Sequence, residues 1–169
     1  QRIFTVTPYA LADGFKNYTE TVPDAEFSAT FGADAKIGLT QSLTLDLTVN
    51  TDFAQVEVDD QQVNLTRFPL FFPEKRAFFL ENAGTFSVGS GRSAELFFSR
   101  RIGLSGGAEV PIQAGARLSG KVAGMQVGFL NIQTQGVDQV NGSNFGVIRA
   151  SQEFENRTTL GAILVSRLN

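Results

Sequence analysis

The chain has 169 residues, of which 42% are hydrophobic and 18% are charged, and its formal net charge is -3. Because it contains neither cysteine nor histidine, thiol nucleophiles, histidine-based triads, zinc sites of the usual kind and histidine-ligated haem are excluded, and the acidic balance offers nucleic acid no basic surface. No stretch reaches the roughly 18 apolar residues that a transmembrane helix requires.

The first strands are predicted by a regular alternation of apolar and polar residues. Residues 27–34 and 43–50 alternate without a break, and 2–10 form a weaker candidate before a long loop at 11–25. Successive side chains of a strand point to opposite faces, so each segment has one apolar and one polar side. Segments of this length are long enough to cross a membrane as tilted strands. The strands of a soluble antiparallel sandwich, however, show the same alternation of apolar and polar residues.

The middle of the chain, 52–93, interrupts this pattern. Alternation stops after Asp59, and Pro69 and Pro73 break any long element. Aromatic and charged residues are interleaved in the run FFPEKRAFFLE that ends at Glu81. Residues near 60–83 are therefore predicted to form an internal non-strand segment, either a structural plug or the lining of a path through the lumen. The alternative is a fold-determining loop whose charges stay solvated.

Alternation returns in the second half of the chain. Residues 112–122 alternate clearly, and 95–102, 126–134, 144–154 and 159–168 are weaker strand candidates. Together with the three earlier segments, these make eight predicted strands. All of them are of a length that suits a membrane strand.

Loop lengths add one more strand to this count. Short and long connections alternate in a membrane barrel, which requires a strand at 84–89 and raises the number to about nine. Nine antiparallel strands cannot close by ordinary pairing, because the first and last would run parallel. We therefore expect residues 1–169 to form part of one outer-membrane β-barrel domain, an antiparallel transmembrane barrel segment with open edges at 2–10 and 159–168.

The two faces of these strands predict which side chains meet lipid. The apolar residues expected to point outward are Phe27, Phe31, Leu43, Leu45, Leu47, Ala114, Ala116 and Leu118. The charged residues expected to point inward are Asp34, Asp46, Arg117 and Lys121. Charges in the lumen need partners of opposite sign, since unpaired charges away from water are unfavourable.

A lumen charge network, structural or pathway-lining, is the candidate functional site. Its predicted members are Asp46, Asp52, Glu57, Asp59, Arg67, Glu74, Lys75, Arg76, Glu81, Arg100 and Arg101. The acidic run lacks the glycine and closing glutamate of an EF-hand, and no metal or cofactor site is predicted. Carboxylate pairs such as Glu74 and Glu81 have the residue type that glycoside hydrolysis needs, but any acidic loop offers such pairs, and no catalytic residue is assigned.

One part of the chain resembles a known family. The run KIGLTQSLTLDLTVNTDFAQVEVDDQQVNLTRFPLFFPEKRAFFLENAGTFSVG at 36–89, followed by LFFSRRIGL at 96–104, resembles a family of uncharacterised bacterial proteins. In that family an amino-terminal carbohydrate-binding domain of the family-9 type precedes a predicted outer-membrane barrel. Ala77 replaces a proline expected at that place. The resemblance implies a fold and a location in the bacterial outer membrane, and it implies no reaction.

Three functions follow as hypotheses. The first is an outer-membrane barrel involved in uptake or surface capture of a carbohydrate or similar nutrient. Its partners would be outer-membrane lipid, the remainder of its own barrel and a glycan or small nutrient, with no cofactor and no nucleic acid. The second is a hydrolase embedded in the barrel, and the third is a soluble β-sandwich binding module.

Overall fold

The computed structural model describes residues 3–16, 25–51, 74, 76–86, 89–90, 94–95, 97, 99, 102–105, 108–136 and 141–169. In chain order, its elements are β1 (Phe4–Lys16), β2 (Ala25–Gly38), β3 (Leu43–Val49), α1 (Ala77–Leu80), the 3-10 turn η1 (Ala83–Thr85), β4 (Gly89–Ser90), β5 (Ala94–Glu95), β6 (Leu104–Ser105), β7 (Ala108–Glu109), β8 (Ile112–Val122), β9 (Met125–Thr134), β10 (Asn144–Glu153) and β11 (Thr159–Leu168). In these residues the chain is all-β, with almost no helix.

The described strands form one seven-stranded antiparallel sheet in the order β1-β2-β3-β8-β9-β10-β11, with β4-β5 and β6-β7 as separate small hairpins. Strands β3 and β8 are neighbours in the sheet, although the middle of the chain separates them in sequence. Within the described residues the sheet is not closed, and β1 and β11 are its edges. These are the two edges that the sequence predicted.

Strands β8 and β9 agree with prediction. The β8–β9 connection is a two-residue turn at Ala123 and Gly124, both with positive φ, 50° and 83°. Positive φ at both positions is the geometry that follows the twist of a hairpin, and glycine adopts it without strain. The alternation of 112–122 and 126–134 is thus realised as one continuous hairpin.

Three predictions about strands were wrong. The first strand continues to Lys16, which pairs with Ala25, so the predicted loop does not begin at Leu11. Of the predicted strand at 95–102, the described residues retain only the short β5, and Ile102 lies in a turn. The predicted strand at 84–89 begins instead in η1. Seven of the nine predicted strands form the described sheet.

The sheet has one apolar face, which is exposed. Cross-strand register places one apolar residue from each strand of the seven-stranded sheet in a single row, which we call the apolar row. Its members are Phe4, Ile37, Leu45, Leu118, Phe129, Ile148 and Leu164. Phe4 is 70% exposed and Leu164 is 65% exposed. Phe27 and Phe31 lie further along β2 and are also exposed. Of the residues predicted to point outward, Phe27, Phe31, Leu47 and Ala114 are exposed, and Leu43, Leu45, Ala116 and Leu118 are half-buried.

The other face, the polar face, carries the core. Residues 76–86, which we call the inner segment, lie against it and contribute Phe78, Phe79 and Phe86. The sheet side of this cluster consists of Ile112, Leu130, Ile132 and Val147 from β8, β9 and β10, with Ile102 beside them. Non-strand structure was predicted near 60–83; residues 74 and 76–83 confirm it, and residues 60–73 and 75 lie outside the described residues. No described helix combines the length and apolar character needed to cross a membrane.

Candidate functional site

Arg117 is the centre of the candidate site. It lies in β8 directly opposite Asp46 of β3 and is only 2% exposed. Its Nε and Nη2 atoms both donate to Oδ2 of Asp46, at 3.1 and 2.8 Å. A buried guanidinium needs such a partner, because removing one charge would leave the other unpaired in a poorly solvated place. The pair therefore fixes both side chains on the polar face.

Arg117 also attaches the inner segment to the sheet. Its Nη1 atom donates to the backbone carbonyl oxygens of Phe78 and Glu81, and Nη2 lies 3.4 Å from the Glu81 carboxylate. These carbonyls belong to the end of α1, where helical partners are missing. The guanidinium carbon also lies 5.0 Å from the centre of the Phe78 ring. One side chain thus holds the end of α1 through charge, hydrogen bonds and ring contact.

Lys36 of β2 completes this group of charges. Its Nζ atom donates to Oε1 of Glu81 and lies 3.9 Å from Oδ1 of Asp46. The Lys36 hydrogen bond lowers the pKa of Glu81 most; burial opposes it, and the charges of Lys36 and Arg117 add to the lowering. Two cations and two carboxylates are therefore joined in one network, with Glu81 ionised at neutral pH.

A second ion pair lies within the middle section itself. The Arg76 guanidinium forms a bidentate ion pair with the Glu74 carboxylate: Nε donates to Oε1 at 2.8 Å and Nη2 donates to Oε2 at 2.7 Å. It also donates to the carbonyl oxygens of Ser99 and Ile102, and the Ser99 hydroxyl donates to Glu74 at 2.7 Å. Burial raises the pKa of Glu74, but the hydrogen bonds and charge of Arg76 and the bond from Ser99 outweigh it and leave that pKa below its usual value.

Polar contacts from other strands hold the second half of the inner segment. Arg149 of β10 donates to the carbonyl oxygens of Gly84 and Thr85, at 3.0 and 2.7 Å. Gln126 donates to the Thr85 hydroxyl at 3.1 Å. The segment is therefore fastened to β8, β9 and β10 by side chains of the polar face, as expected of a fixed element.

The structure describes four members of the predicted charge network, Asp46, Glu74, Arg76 and Glu81. It brings Asp46 and Glu81 together through Arg117 and pairs Glu74 with Arg76. The members outside the described residues are Asp52, Glu57, Asp59, Arg67, Lys75, Arg100 and Arg101. Sequence reasoning placed Arg117 inward but left it out of the network.

Lys36 and Arg149 were missed altogether. The alternation of β2 places Lys36 on the same side as Asp34, which is a signal for its orientation. Its partner Glu81 is 45 residues away, and no spacing in the sequence indicates that contact.

A cavity of about 380 Å³ lies beside this network. Its lining is mixed and includes hydroxyl, carboxylate, cationic and aromatic groups; the lining residues are Thr5, Thr7, Asp34, Ala35, Lys36, Asp46, Leu47, Phe78, Glu81 and Arg117. In the described part of the chain, no group of three or more acidic residues could hold a metal ion. The arrangement is therefore suited to binding and to holding the inner segment, with its charges largely paired.

Comparison with known proteins gives one match. Residues 3–137 match the sequence model of a family described as "Domain of unknown function (DUF5916)". No curated protein and no solved structure matches the chain. The matched region includes β1 to β9, the inner segment and the Arg117 network, so it covers most of the candidate site.

Proposed function

The chain belongs to the DUF5916 family, and we propose that it forms part of the wall of a bacterial outer-membrane β-barrel. In this proposal the barrel takes up or captures a carbohydrate or similar nutrient. The observation that carries the proposal is the apolar row, which crosses all seven strands of the described sheet on the face opposite the buried Arg117.

The apolar face is unlike the solvent-exposed face of a soluble sheet. In water, a sheet gains stability by burying its phenylalanines and leaving its charges outside. Here Phe27 is 86% exposed and Arg117 is 2% exposed. Alternation with the apolar side outward is what lipid requires of a barrel wall. A soluble β-sandwich would need a second layer over the apolar row, in which Phe4 is 70% exposed and Leu164 is 65% exposed.

The edges of the sheet support a barrel in the same way. In lipid, each unpaired backbone group costs several kcal/mol, so membrane sheets are closed. We propose that β1 and β11, the edges of the described sheet, pair with the remainder of the barrel. The inner segment would then lie in the lumen, where Arg117 and Arg149 attach it to the wall.

The nutrient role and the association with a family-9-type carbohydrate-binding domain belong to the proposal as well. They rest on the resemblance of 36–104 and on the polar cavity beside the inner segment. The hydrolase alternative is less well supported. Glycoside hydrolysis needs one carboxyl with a raised pKa as the general acid, but the pKa values of Glu74 and Glu81 are both lowered by neighbouring cations.

Membrane fractionation and one substitution test this function. We expect the chain in the outer-membrane fraction, with a detergent requirement and heat-modifiable gel mobility. Leu45→Arg in the apolar row should destabilise the folded protein in lipid vesicles by about 2–4 kcal/mol if Leu45 lies near mid-bilayer, whereas Leu45→Met should have little effect. A protein that is monodisperse without detergent would overturn the membrane proposal.

A further inference from the structure

Asp34 differs from the other charged residues around the cavity. The ion pairs described above join Lys36, Asp46, Glu81 and Arg117 to one another, and none of them includes Asp34. The Oδ1 atom of Asp34 is buried and accepts no hydrogen bond within the described part of the chain. A carboxylate oxygen left in this state is unfavourable, and a bound water or ligand is a common explanation.

The neighbours of Asp34 offer further hydrogen-bonding groups on the same face. Thr7 of β1 lies directly opposite Asp34 in the sheet, and Thr5 lies opposite Lys36. Both threonines line the cavity, and a hydroxyl group can donate one hydrogen bond and accept two. Phe78 supplies apolar side-chain surface to the lining. The cavity thus presents acceptors, donors and carbon surface side by side.

The charges of the cavity restrict its ligand. The three carboxylates Asp34, Asp46 and Glu81 outnumber the two cations Lys36 and Arg117, so the lining disfavours an anion, and a cation is the competing ligand to be tested. A neutral molecule with several hydroxyl groups avoids the penalty that an anion meets. It can donate to the Asp34 carboxylate and exchange hydrogen bonds with the threonines. A cavity of about 380 Å³ also falls in the range of about 300–1,000 Å³ that is usual for small-molecule sites.

We propose that this cavity binds a small neutral polyhydroxylated solute, such as a monosaccharide, and that Asp34 accepts hydrogen bonds from its hydroxyl groups. The inference rests on the proposed nutrient role and names the place where the nutrient is held. Oδ1 of Asp34 has no hydrogen-bond partner in the described residues, so turning the carboxylate toward the solute breaks no hydrogen bond to this atom. Thr5 and Thr7 would position the solute from β1.

Calorimetric titration of the full chain tests the inference. The probes are D-glucose, D-galactose and D-mannose, with choline as a cation of similar size. We expect at least one sugar to bind and Asp34→Asn to weaken that binding about tenfold to hundredfold, because a hydrogen bond to a charged group is lost. Ser151→Ala, on the same face but outside the cavity lining, is the matched control and should leave the affinity unchanged.

The outcomes separate this inference from the proposed membrane function. Absence of binding by all three sugars, binding of choline in their place, or equal sugar affinity of wild type and Asp34→Asn overturns the inference. Each of those results leaves the membrane test untouched, because fractionation and Leu45→Arg do not involve the cavity. Conversely, sugar binding that depends on Asp34 in a protein that needs no detergent supports the cavity and rejects the barrel.

Discussion

The two halves of the polar face hold the inner segment by different forces. On β2, β3 and the middle of β8 the contacts are mainly ionic, through Lys36, Asp46 and Arg117. On β9 and β10 they are mainly hydrophobic, between Leu130, Ile132 and Val147 of the sheet and the three phenylalanines of the segment. Ion pairs depend on geometry, whereas apolar burial is non-directional and scales with area. The ionic half thus fixes the orientation of the segment, and the apolar half stabilises it through burial that depends little on orientation.

The largest expected effect is on the ionic half. Arg117→Met leaves Asp46 buried beside Lys36 alone and removes the hydrogen bonds to the end of α1. We expect a loss of about 3–5 kcal/mol in the free energy of unfolding, the usual effect of breaking a buried pair. Urea titration of the folded protein measures it. The double variant Asp46→Leu with Arg117→Met should recover much of the loss, and a single variant as stable as wild type would contradict the role of this pair.

The apolar half should show a similar but less orientation-dependent effect. Leu130 is 1% exposed and belongs to the core cluster. Leu130→Ala should reduce the free energy of unfolding by about 2–5 kcal/mol, through lost burial and the resulting cavity. The matched control is Leu164→Ala in the apolar row, where the side chain is 65% exposed. Equal losses for the two variants would show that Leu130 does not pack against the segment as described.

A third substitution tests how closely the segment approaches the sheet. Gly128 of β9 lies under η1, and an added Cβ would come within 2.7 Å of Thr85 Cγ2 and 3.0 Å of a Phe86 ring carbon. Gly128→Ala should therefore cost about 1–3 kcal/mol, because a well-packed contact must open. Gly161→Ala is a milder control, since its nearest atom is at 3.2 Å. Protease cleavage within 76–86 should rise in Gly128→Ala and stay unchanged in the control.

The same contrast explains which features the sequence predicted. Strand alternation is local, so β3, β8, β9, β10 and β11 were found nearly to the residue. Contacts between the inner segment and the sheet depend on register and topology. The Asp46–Arg117 pair joins residues 71 apart, and the Thr85 carbonyl meets Arg149 across 64 residues. Neither separation is encoded in a spacing rule.

Two local misreadings have the same cause. Asp13-Gly14 has the composition of a turn, yet both residues pair with β2, whose alternation is strong enough to extend the ladder. Residues 84–89 have the alternation of a short strand. Phe86 is buried in the core cluster and Arg149 binds the Thr85 carbonyl, so η1 forms there instead. In both places long-range contacts outweigh local preference.

The smallest expected effect is that of acid, and it falls on the ionic attachments. The pKa values of Glu74 and Glu81 are both lowered in the folded protein from the ordinary value of 4.5. A carboxyl whose folded pKa is lowered contributes stability that is full above its unfolded pKa and is lost as pH falls through the folded pKa. The ion pairs of Glu74 and Glu81 are therefore intact at neutral pH, and their contribution to stability decreases below about pH 4.5.

Amide hydrogen exchange of 76–86 between pH 7 and pH 3, corrected for the intrinsic rate, measures this loss. Protection at α1 should decrease on acidification, while protection of the β9–β10 ladder, which contains neither glutamate, should persist. Glu81→Gln should remove part of the pH dependence of amide protection at α1. It should leave the pH dependence at Arg76 unchanged, because Arg76 binds Glu74. Glu81 is half exposed, and solvent screens its ion pairs. Protonation of Glu81 should therefore cost less stability than protonation of Glu74. If both regions lose protection together, the ionic and apolar attachments are not separable, and the segment and sheet open as one unit.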